Sequence, residues 1–156
     1  MQTIEIPGYR TLEIRHVVCD FNGTIAVDGR LIQGVADLMK KLSDSLDFHV
    51  ITADTFGSVK KELIGLPCAL TVIPTKEQAQ SKRSYVLKLG AENVTAVGNG
   101  RNDCMMLKAA ALSIGLLQEE GISVEALNSA DIVCRSIVDA LNLLKEPNRL
   151  IATLRS

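Results

Sequence analysis

The chain has 156 residues, of which 47% are hydrophobic and 3% aromatic, and its formal net charge is -1 at pH 7. This length fits a single domain covering residues 1–156, with enough apolar side chains for a sizeable core. The near-zero charge and the few aromatic residues argue against a nucleic-acid partner. The absence of a signal-peptide pattern or a long apolar run predicts a cytoplasmic protein with no membrane partner.

Short apolar runs alternate with amphipathic segments along the chain. Such runs predict strands, and their continuous apolar character is typical of strands covered on both faces. Between them, apolar residues recur at the spacing of one helical face, as in residues 35–46. The alternation predicts an α/β fold, with a three-layer, doubly wound, mostly parallel sheet. The predicted strands are residues 14–19, 48–52, 69–73, 94–97, 112–115 and 131–134.

Two hairpins interrupt this alternation. Asp28-Gly29 lies between two apolar triplets, which is a strong hairpin signal, and predicts a small flap beyond the first strand. Pro7-Gly8 predicts a second turn near the N-terminus. The apolar residues of the flap need cover, so we expect a homo-oligomer, either a dimer or a tetramer. These residues are Ile25, Val27, Leu31 and Ile32.

Polar residues follow three of the predicted strands. Asp20 comes directly after the first strand, Thr52 ends the second, and the turn 98–103 (Gly-Asn-Gly-Arg-Asn-Asp) follows the fourth. In an open parallel sheet, ligands bind at the carboxyl ends of the strands. A carboxylate, a hydroxyl group and a glycine-rich turn at that edge could hold a divalent cation and a phosphate group.

Four motifs, taken together, carry a resemblance to a known superfamily. They are Asp-Phe-Asn-Gly-Thr at 20–24, Ile-Thr-Ala-Asp at 51–54, Ser-Lys-Arg at 81–83, and the turn 98–103. Their order and spacing resemble those of the haloacid dehalogenase-like phosphatases. Residues 96–141 also resemble the end of the phosphorylation domain of P-type ATPases, and the most similar group is the small soluble relatives of those ATPases.

The resemblance spans roughly residues 14–145 and implies the haloacid dehalogenase-like fold. Many members of the superfamily insert a cap domain between the motifs. Here Thr52 lies 32 positions after Asp20, and Lys82 lies 30 positions after Thr52. These intervals are filled by the flap, helices and strands already predicted, so we expect no cap domain and an open site. The lack of a lid is a second reason to expect a homo-oligomer.

The resemblance also implies a Mg²⁺-dependent phosphohydrolase or phosphotransferase that acts on a small phosphorylated substrate. Asp20 would attack phosphorus and form an aspartyl-phosphate, and a lysine would neutralise charge during transfer. The catalytic residues would be Asp20, Asn22, Thr52 and Lys82. The metal ligands would be Asp20, Asn22 (through its backbone carbonyl oxygen), Asn99 and Asp103. Phosphate would be bound by Thr52, Ala53, Lys82 and Asn102.

The identity of the lysine has two candidates. Val86 and Leu89 follow Lys82 at four and seven positions, a helical register that aims Lys82 at the strand ends. Lys76 is the alternative.

Two departures from the superfamily's motifs bear on function. Asn22 stands where its phosphatases have an acid/base aspartate, and Asn99 stands where they have a metal-binding aspartate. An amide oxygen can still ligate Mg²⁺, but it brings no charge, so Asp103 is expected to carry more of the metal site. We therefore predict a slow enzyme. The alternatives are a non-catalytic regulatory protein that binds phosphate or a nucleotide, and a capless sugar-phosphate phosphatase.

Overall fold

A computed structural model describes residues 1–54 and 57–156. Its centre is a sheet of six parallel strands in the order β10-β9-β8-β3-β6-β7. The strands of this sheet are β3 (His16–Asp20), β6 (Asp47–Thr52), β7 (Cys68–Val72), β8 (Val94–Gly98), β9 (Leu112–Leu116) and β10 (Ile132–Cys134). All six predicted strands are therefore confirmed to within a few residues.

The start of the first predicted strand is wrong by two residues. Ile14 belongs to a separate N-terminal hairpin, in which β1 (Gln2–Ile6) pairs antiparallel with β2 (Arg10–Ile14). Arg15 lies between this hairpin and β3, and its backbone already bonds to the central sheet: its N–H donates to the carbonyl of Asn93 and its carbonyl accepts from the N–H of Asp47. The hairpin predicted around Pro7-Gly8 is confirmed.

The flap is also confirmed, as β4 (Ala26–Val27) paired antiparallel with β5 (Arg30–Leu31). Asp28 and Gly29 form its turn with φ of 51° and 75°, the positive values that a tight two-residue hairpin requires. At its base, the Gly23 N–H donates to the Ala26 carbonyl at 2.7 Å.

The expectation that the apolar residues of the flap need cover from another subunit is wrong. Ile25 is completely buried, and Leu31 and Ile32 pack partly buried against the main core of the same chain. A homo-oligomer remains a prediction, which now depends on the open site and not on the apolar residues of the flap.

Helices cover both faces of the sheet, which confirms three layers. Buried residues of α1, α6 and α7 pack on one face together with the N-terminal hairpin, and those of α3, α4 and α5 pack on the other. The helices are α1 (Val35–Leu42), α2 (Ser58–Glu62), α3 (Gln78–Leu89), α4 (Cys104–Ala109), α5 (Val124–Leu127), α6 (Ile137–Lys145) and α7 (Pro147–Leu154).

The helix ends follow local sequence signals. Gly90, with φ of 85°, follows the last residue of α3, where glycine is a common helix stop. Ser136 caps α6 by accepting a hydrogen bond from the N–H of Asp139. Pro147 follows the end of α6 and occupies the first turn of α7, where a missing N–H costs nothing.

The described residues contain no cap domain, which confirms that expectation for them. No helix within residues 1–54 and 57–156 combines the length and apolar character needed to cross a membrane.

A chain of polar side chains crosses β3, β6 and α3 away from the strand ends that carry the motifs. His16 Nδ1 lies 3.1 Å from His49 Nε2, and His49 Nδ1 lies 3.0 Å from the Tyr85 hydroxyl. Burial lowers the pKa of both histidines. Asp47, 3.6 Å from His16, partly opposes this shift. A positive charge on His16 lowers the pKa of His49 further, because the two rings are in contact.

We expect the free energy of unfolding to fall as the pH drops below about 6.5, the ordinary histidine pKa. In that range the unfolded chain binds protons on these histidines more readily than the folded protein does. The contribution of the two histidines to the free energy of unfolding is therefore fully present above pH 6.5 and is lost as the pH falls. Urea unfolding of the wild type and of His49→Gln at pH 5.5 and 7.5 measures this. Equal pH dependence in the two proteins would exclude the histidine pair as its source.

Candidate active site

The carboxyl ends of β3, β6 and β8 meet at the centre of the sheet. The chain runs outward from β3 through β6 to β7 and then returns to β8 on the other side of β3. This reversal opens a crevice at the strand ends, which is where open α/β sheets bind ligands. An open cleft of about 490 Å³ lies there. Its lining residues are Asp20, Asn22, Thr52, Ala53, Asp54, Gln78, Asn99, Gly100, Asn102 and Glu120.

A buried lysine lies beneath this cleft. Lys82 Nζ is 2.8 Å from Asp20 Oδ1 and 2.6 Å from Asp103 Oδ1, and the Lys82 side chain is only 1% exposed. The helical register predicted for Lys82 therefore brings it to the strand ends, whereas Lys76 is exposed. The structure resolves the choice of position in favour of Lys82, and its catalytic role remains a prediction.

The charges of this triad do not balance, because one ammonium group faces two carboxylates. Burial, and then the charge of Asp103, raise the pKa of Asp20 well above its usual range, although Lys82 opposes the shift. Burial also disfavours the charge of Lys82, but Asp103 and Asp20 outweigh it and raise the pKa of the lysine. A cation on the cleft side of Asp20 would favour its ionised form.

Asp103 occupies a different place from the one expected of a metal ligand. It is completely buried and is absent from the cleft lining. Its Oδ1 contacts Lys82, and its Oδ2 accepts hydrogen bonds from the N–H groups of Asn99 (3.0 Å) and Gly100 (2.9 Å). These contacts place Asp103 to fix the 98–103 turn and Lys82. Its role as a metal ligand stays a prediction.

Three of the predicted phosphate-binding residues line the cleft. Thr52 Oγ1 accepts the N–H of Asp54 at 3.0 Å, which leaves its hydroxyl proton to donate elsewhere. Asn102 Nδ2 donates to Gln78 Oε1 at 2.7 Å, which ties the turn to the start of α3. Ala53 can offer only its backbone.

Asn22 also lines the cleft, beside Asp20. Its Oδ1 accepts the N–H of Gly29 at 3.1 Å, so the side chain connects the cleft to the turn of the flap. The amide cannot act as an acid or a base at neutral pH, and a carboxylate in the same place could accept the same hydrogen bond.

Asn99 and Glu120 lie close to Gly23 of the motif at 20–24. A Cβ placed on Gly23 would lie 2.6 Å from the amide atoms of Asn99 and 2.6 Å from Glu120 Oε2. Among the described residues, no three His, Cys, Asp or Glu side chains group closely enough to hold a metal ion. The atoms that could ligate a metal around the cleft are nevertheless carboxylate, amide and backbone carbonyl oxygens. A hard cation can combine a few carboxylates with such neutral oxygens. The donor set thus fits Mg²⁺.

Replacing Lys82 with Met should lower the free energy of unfolding by about 3–5 kcal/mol at pH 7.5. The substitution leaves Asp20 and the fully buried Asp103 without their cation. Urea unfolding measures the loss, and Lys76→Met is the matched control, since it removes the same charge from an exposed position. Equal stability of the two variants would show that the buried ammonium group is not needed for the fold.

No family model matches the chain. An uncharacterized protein of Methanocaldococcus jannaschii, MJ0073, is 45% identical over 64 residues, which make up 41% of this chain and 69% of that protein.

Solved structures match a larger share of the chain. A cobalt-bound deoxy-D-mannose-octulosonate 8-phosphate phosphatase from Haemophilus influenzae has a TM-score of 0.72 at 12% identity, covering 92% of this chain and 94% of that one. A 3-deoxy-D-manno-octulosonate 8-phosphate phosphatase from Moraxella catarrhalis, solved with magnesium, phosphate and KDO, has a TM-score of 0.66 at 14% identity, covering 92% and 94%. A HAD family hydrolase structure from Streptomyces avermitilis has a TM-score of 0.65 at 18% identity, covering 83% and 81%. At these identities the likeness concerns the fold.

Proposed function

Because the chain belongs to the same family as MJ0073 and has the haloacid dehalogenase-like fold, we propose that it is a Mg²⁺-dependent phosphohydrolase acting through an aspartyl-phosphate on Asp20. The observation that carries this proposal is the contact between Asp20 and the buried Lys82 at the switch point of the sheet. A carboxylate needs such a partner to remain ionised when it is partly withdrawn from water, and ionisation makes it a nucleophile.

In the proposed reaction, an Asp20 oxygen forms a bond to phosphorus while the bond to the leaving oxygen breaks. Lys82 holds the carboxylate in place through Oδ1 and contributes positive charge close to the transferred group. Phosphoryl transfer depends mainly on such positioning and charge. Water then attacks the phosphorus of the aspartyl-phosphate, which releases phosphate and restores the Asp20 carboxylate.

Thr52 and Asn102 suit the recognition of the phosphate oxygens. The Thr52 hydroxyl has a proton to donate, because its oxygen already accepts the Asp54 N–H. The Asn102 amide is oriented by Gln78. Asp20, the backbone carbonyl oxygen of Asn22 and the side chain of Asn99 would hold the divalent cation, which would supply positive charge to the phosphate oxygens when bound.

A second candidate is a regulatory protein that binds phosphate or a nucleotide without turnover. The observation that favours it is Asn22, since no carboxylate stands at that position and its Oδ1 is held by the flap. A capless sugar-phosphate phosphatase and a P-type ATPase-like phosphatase are narrower versions of the first proposal.

Release of phosphate from p-nitrophenyl phosphate, with Mg²⁺ and with EDTA, separates these possibilities. Slow release that requires Mg²⁺ supports the enzyme, and a panel of phosphorylated metabolites, including sugar phosphates, then addresses the substrate. Binding of phosphate without release, with or without the metal, would favour the regulatory protein. Light scattering on the same preparation tests the homo-oligomer.

A further inference from the structure

Glu120 lies in the loop between β9 and α5, a segment whose sequence assigns it no role. It lines the cleft together with Asp20 and Asn99. None of the ion pairs among the described residues includes it. Glu120 is thus a further acidic side chain, beside Asp20 and Asp54, in a cleft where Asp20 and Asp103 already outnumber the single positive charge of Lys82.

The loop is fixed on both sides of Glu120. On one side, Gln118 Nε2 donates to the carbonyl oxygens of Gly23 (3.0 Å) and Thr24 (2.9 Å), while its Oε1 accepts the N–H of Ile137 at 2.8 Å. These bonds attach the loop to the motif at 20–24. Such hydrogen bonds between a side chain and distant backbone atoms hold a loop in a fixed position relative to the site.

On the other side, Asn99 holds the loop. Its Nδ2 donates to the carbonyl of Gly121 at 3.0 Å, and its own carbonyl accepts the N–H of Ser123 at 2.9 Å. The first of these bonds requires an amide at position 99. An aspartate there would bring a carboxylate oxygen against the Gly121 carbonyl oxygen, two acceptors with no proton between them.

Glu120 and Asn99 therefore meet at one place. The Glu120 carboxylate and the Asn99 amide both approach the point that a Cβ on Gly23 would fill, each at 2.6 Å, and Gly23 has the positive φ of 77° that suits glycine. The neutral residue at 99 and the carboxylate at 120 lie side by side at the edge of the cleft next to the Asn22-Gly23 backbone.

We propose that Glu120 supplies the second carboxylate of the divalent-cation site, in place of residue 99, and that Asn99 serves both as a neutral ligand and as the tether that positions the Glu120 loop. This inference rests on the metal dependence in the proposed function. It accounts for two features together: the neutral side chain at 99 and the unpaired anion one loop away. A pair of carboxylates with neutral oxygens is a donor set that suits Mg²⁺.

Binding of Mn²⁺, a cation that takes the same oxygen ligands as Mg²⁺, tests the proposal by electron paramagnetic resonance without any turnover. Glu120→Gln should weaken Mn²⁺ binding by about 10- to 100-fold, the range found when groups that support a metal site are removed. Glu119→Gln, a change of the same kind at the neighbouring exposed position, should leave the affinity unchanged. Adding Asn99→Asp to Glu120→Gln should recover most of the lost affinity, because it returns a carboxylate to the site.

The results distinguish this inference from the function on which it rests. If the wild type binds Mn²⁺ and Glu120→Gln binds it equally well, Glu120 is not part of the site, and the proposed enzyme is unaffected. Failure of Asn99→Asp to restore binding in the Glu120→Gln background would refute the exchange of the carboxylate between the two positions. If the wild type itself binds no Mn²⁺, the metal-dependent function falls together with the inference.

Discussion

Asp20→Asn should reduce phosphate release by about 10⁴-fold or more while the protein still folds. An amide has no charge with which to attack phosphorus, so the first step of the proposed reaction is lost. The fold should survive, because the amide oxygen can still accept a hydrogen bond from Lys82, and Lys82 keeps its contact with Asp103. Release of p-nitrophenol measures the rate, and urea unfolding with circular dichroism measures the fold.

Asp28→Asn is the matched control for that variant. Asp28 is exposed in the turn of the flap, and asparagine tolerates its positive φ. Its activity should equal that of the wild type. Retained activity in Asp20→Asn, with the mass of the protein confirmed, would exclude Asp20 as the nucleophile and with it the aspartyl-phosphate mechanism.

Asn22→Asp should accelerate hydrolysis by about 10²–10⁴-fold, the usual contribution of a positioned general acid and base. Asn22 lines the cleft beside Asp20, and the new carboxylate could still accept the Gly29 N–H, so the flap should keep its position. The carboxyl group would protonate the leaving oxygen and then remove a proton from the attacking water. The gain should be larger for alkyl than for aryl phosphates, since a good leaving group departs without a proton.

Single-turnover kinetics with one aryl and one alkyl phosphate measure the acceleration by Asn22→Asp for each type of substrate. Asn102→Asp places the same charge elsewhere in the same cleft, and it should give no acceleration, since extra negative charge near phosphate repels the substrate. If Asn22→Asp leaves both substrates unchanged in a folded protein, residue 22 is not in the acid/base position. Equal acceleration by both variants would point to a general effect of charge.

The strands and the three strand ends could be predicted because their signals are local. A continuous apolar run followed by a polar turn marks a buried parallel strand and the edge where it ends, as at Asp20 and Thr52. Lys82 could be placed because the apolar residues of its own helix set the direction of its side chain. In each case a few consecutive residues contain the information.

The environment of Asp103 could not be predicted in the same way. Its carboxylate is held by two backbone N–H groups of its own turn and by a lysine from a helix 21 positions earlier. The motif shows that a carboxylate is present, but not whether it points into the cleft or beneath it. Only the packing of α3 against this turn decides between a ligand and a buried anchor.

Glu120 was missed for a related reason. The loop after β9 has no hydrophobic period, and its position depends on bonds from Gln118 and Asn99 to distant backbone atoms. The one available signal was the neutral residue at 99 in a motif that usually carries a charge there, which invites a search for a carboxylate elsewhere. The cover of Ile25 likewise comes from tertiary packing that its short hairpin does not reveal.

The hydrogen bonds of two glycines have a consequence for the chemical ageing of the protein. Asn22 and Asn99 each precede a glycine, the neighbour that most readily permits deamidation, because its unhindered backbone nitrogen attacks the asparagine side chain. In the fold, that nitrogen donates to the Ala26 carbonyl in one case and to Asp103 Oδ2 in the other, which keeps both away from attack. Unfolding releases both nitrogens. Aspartate at these positions should therefore accumulate in material that has been heated or refolded. The negative charge of the cleft then depends on how the sample was treated.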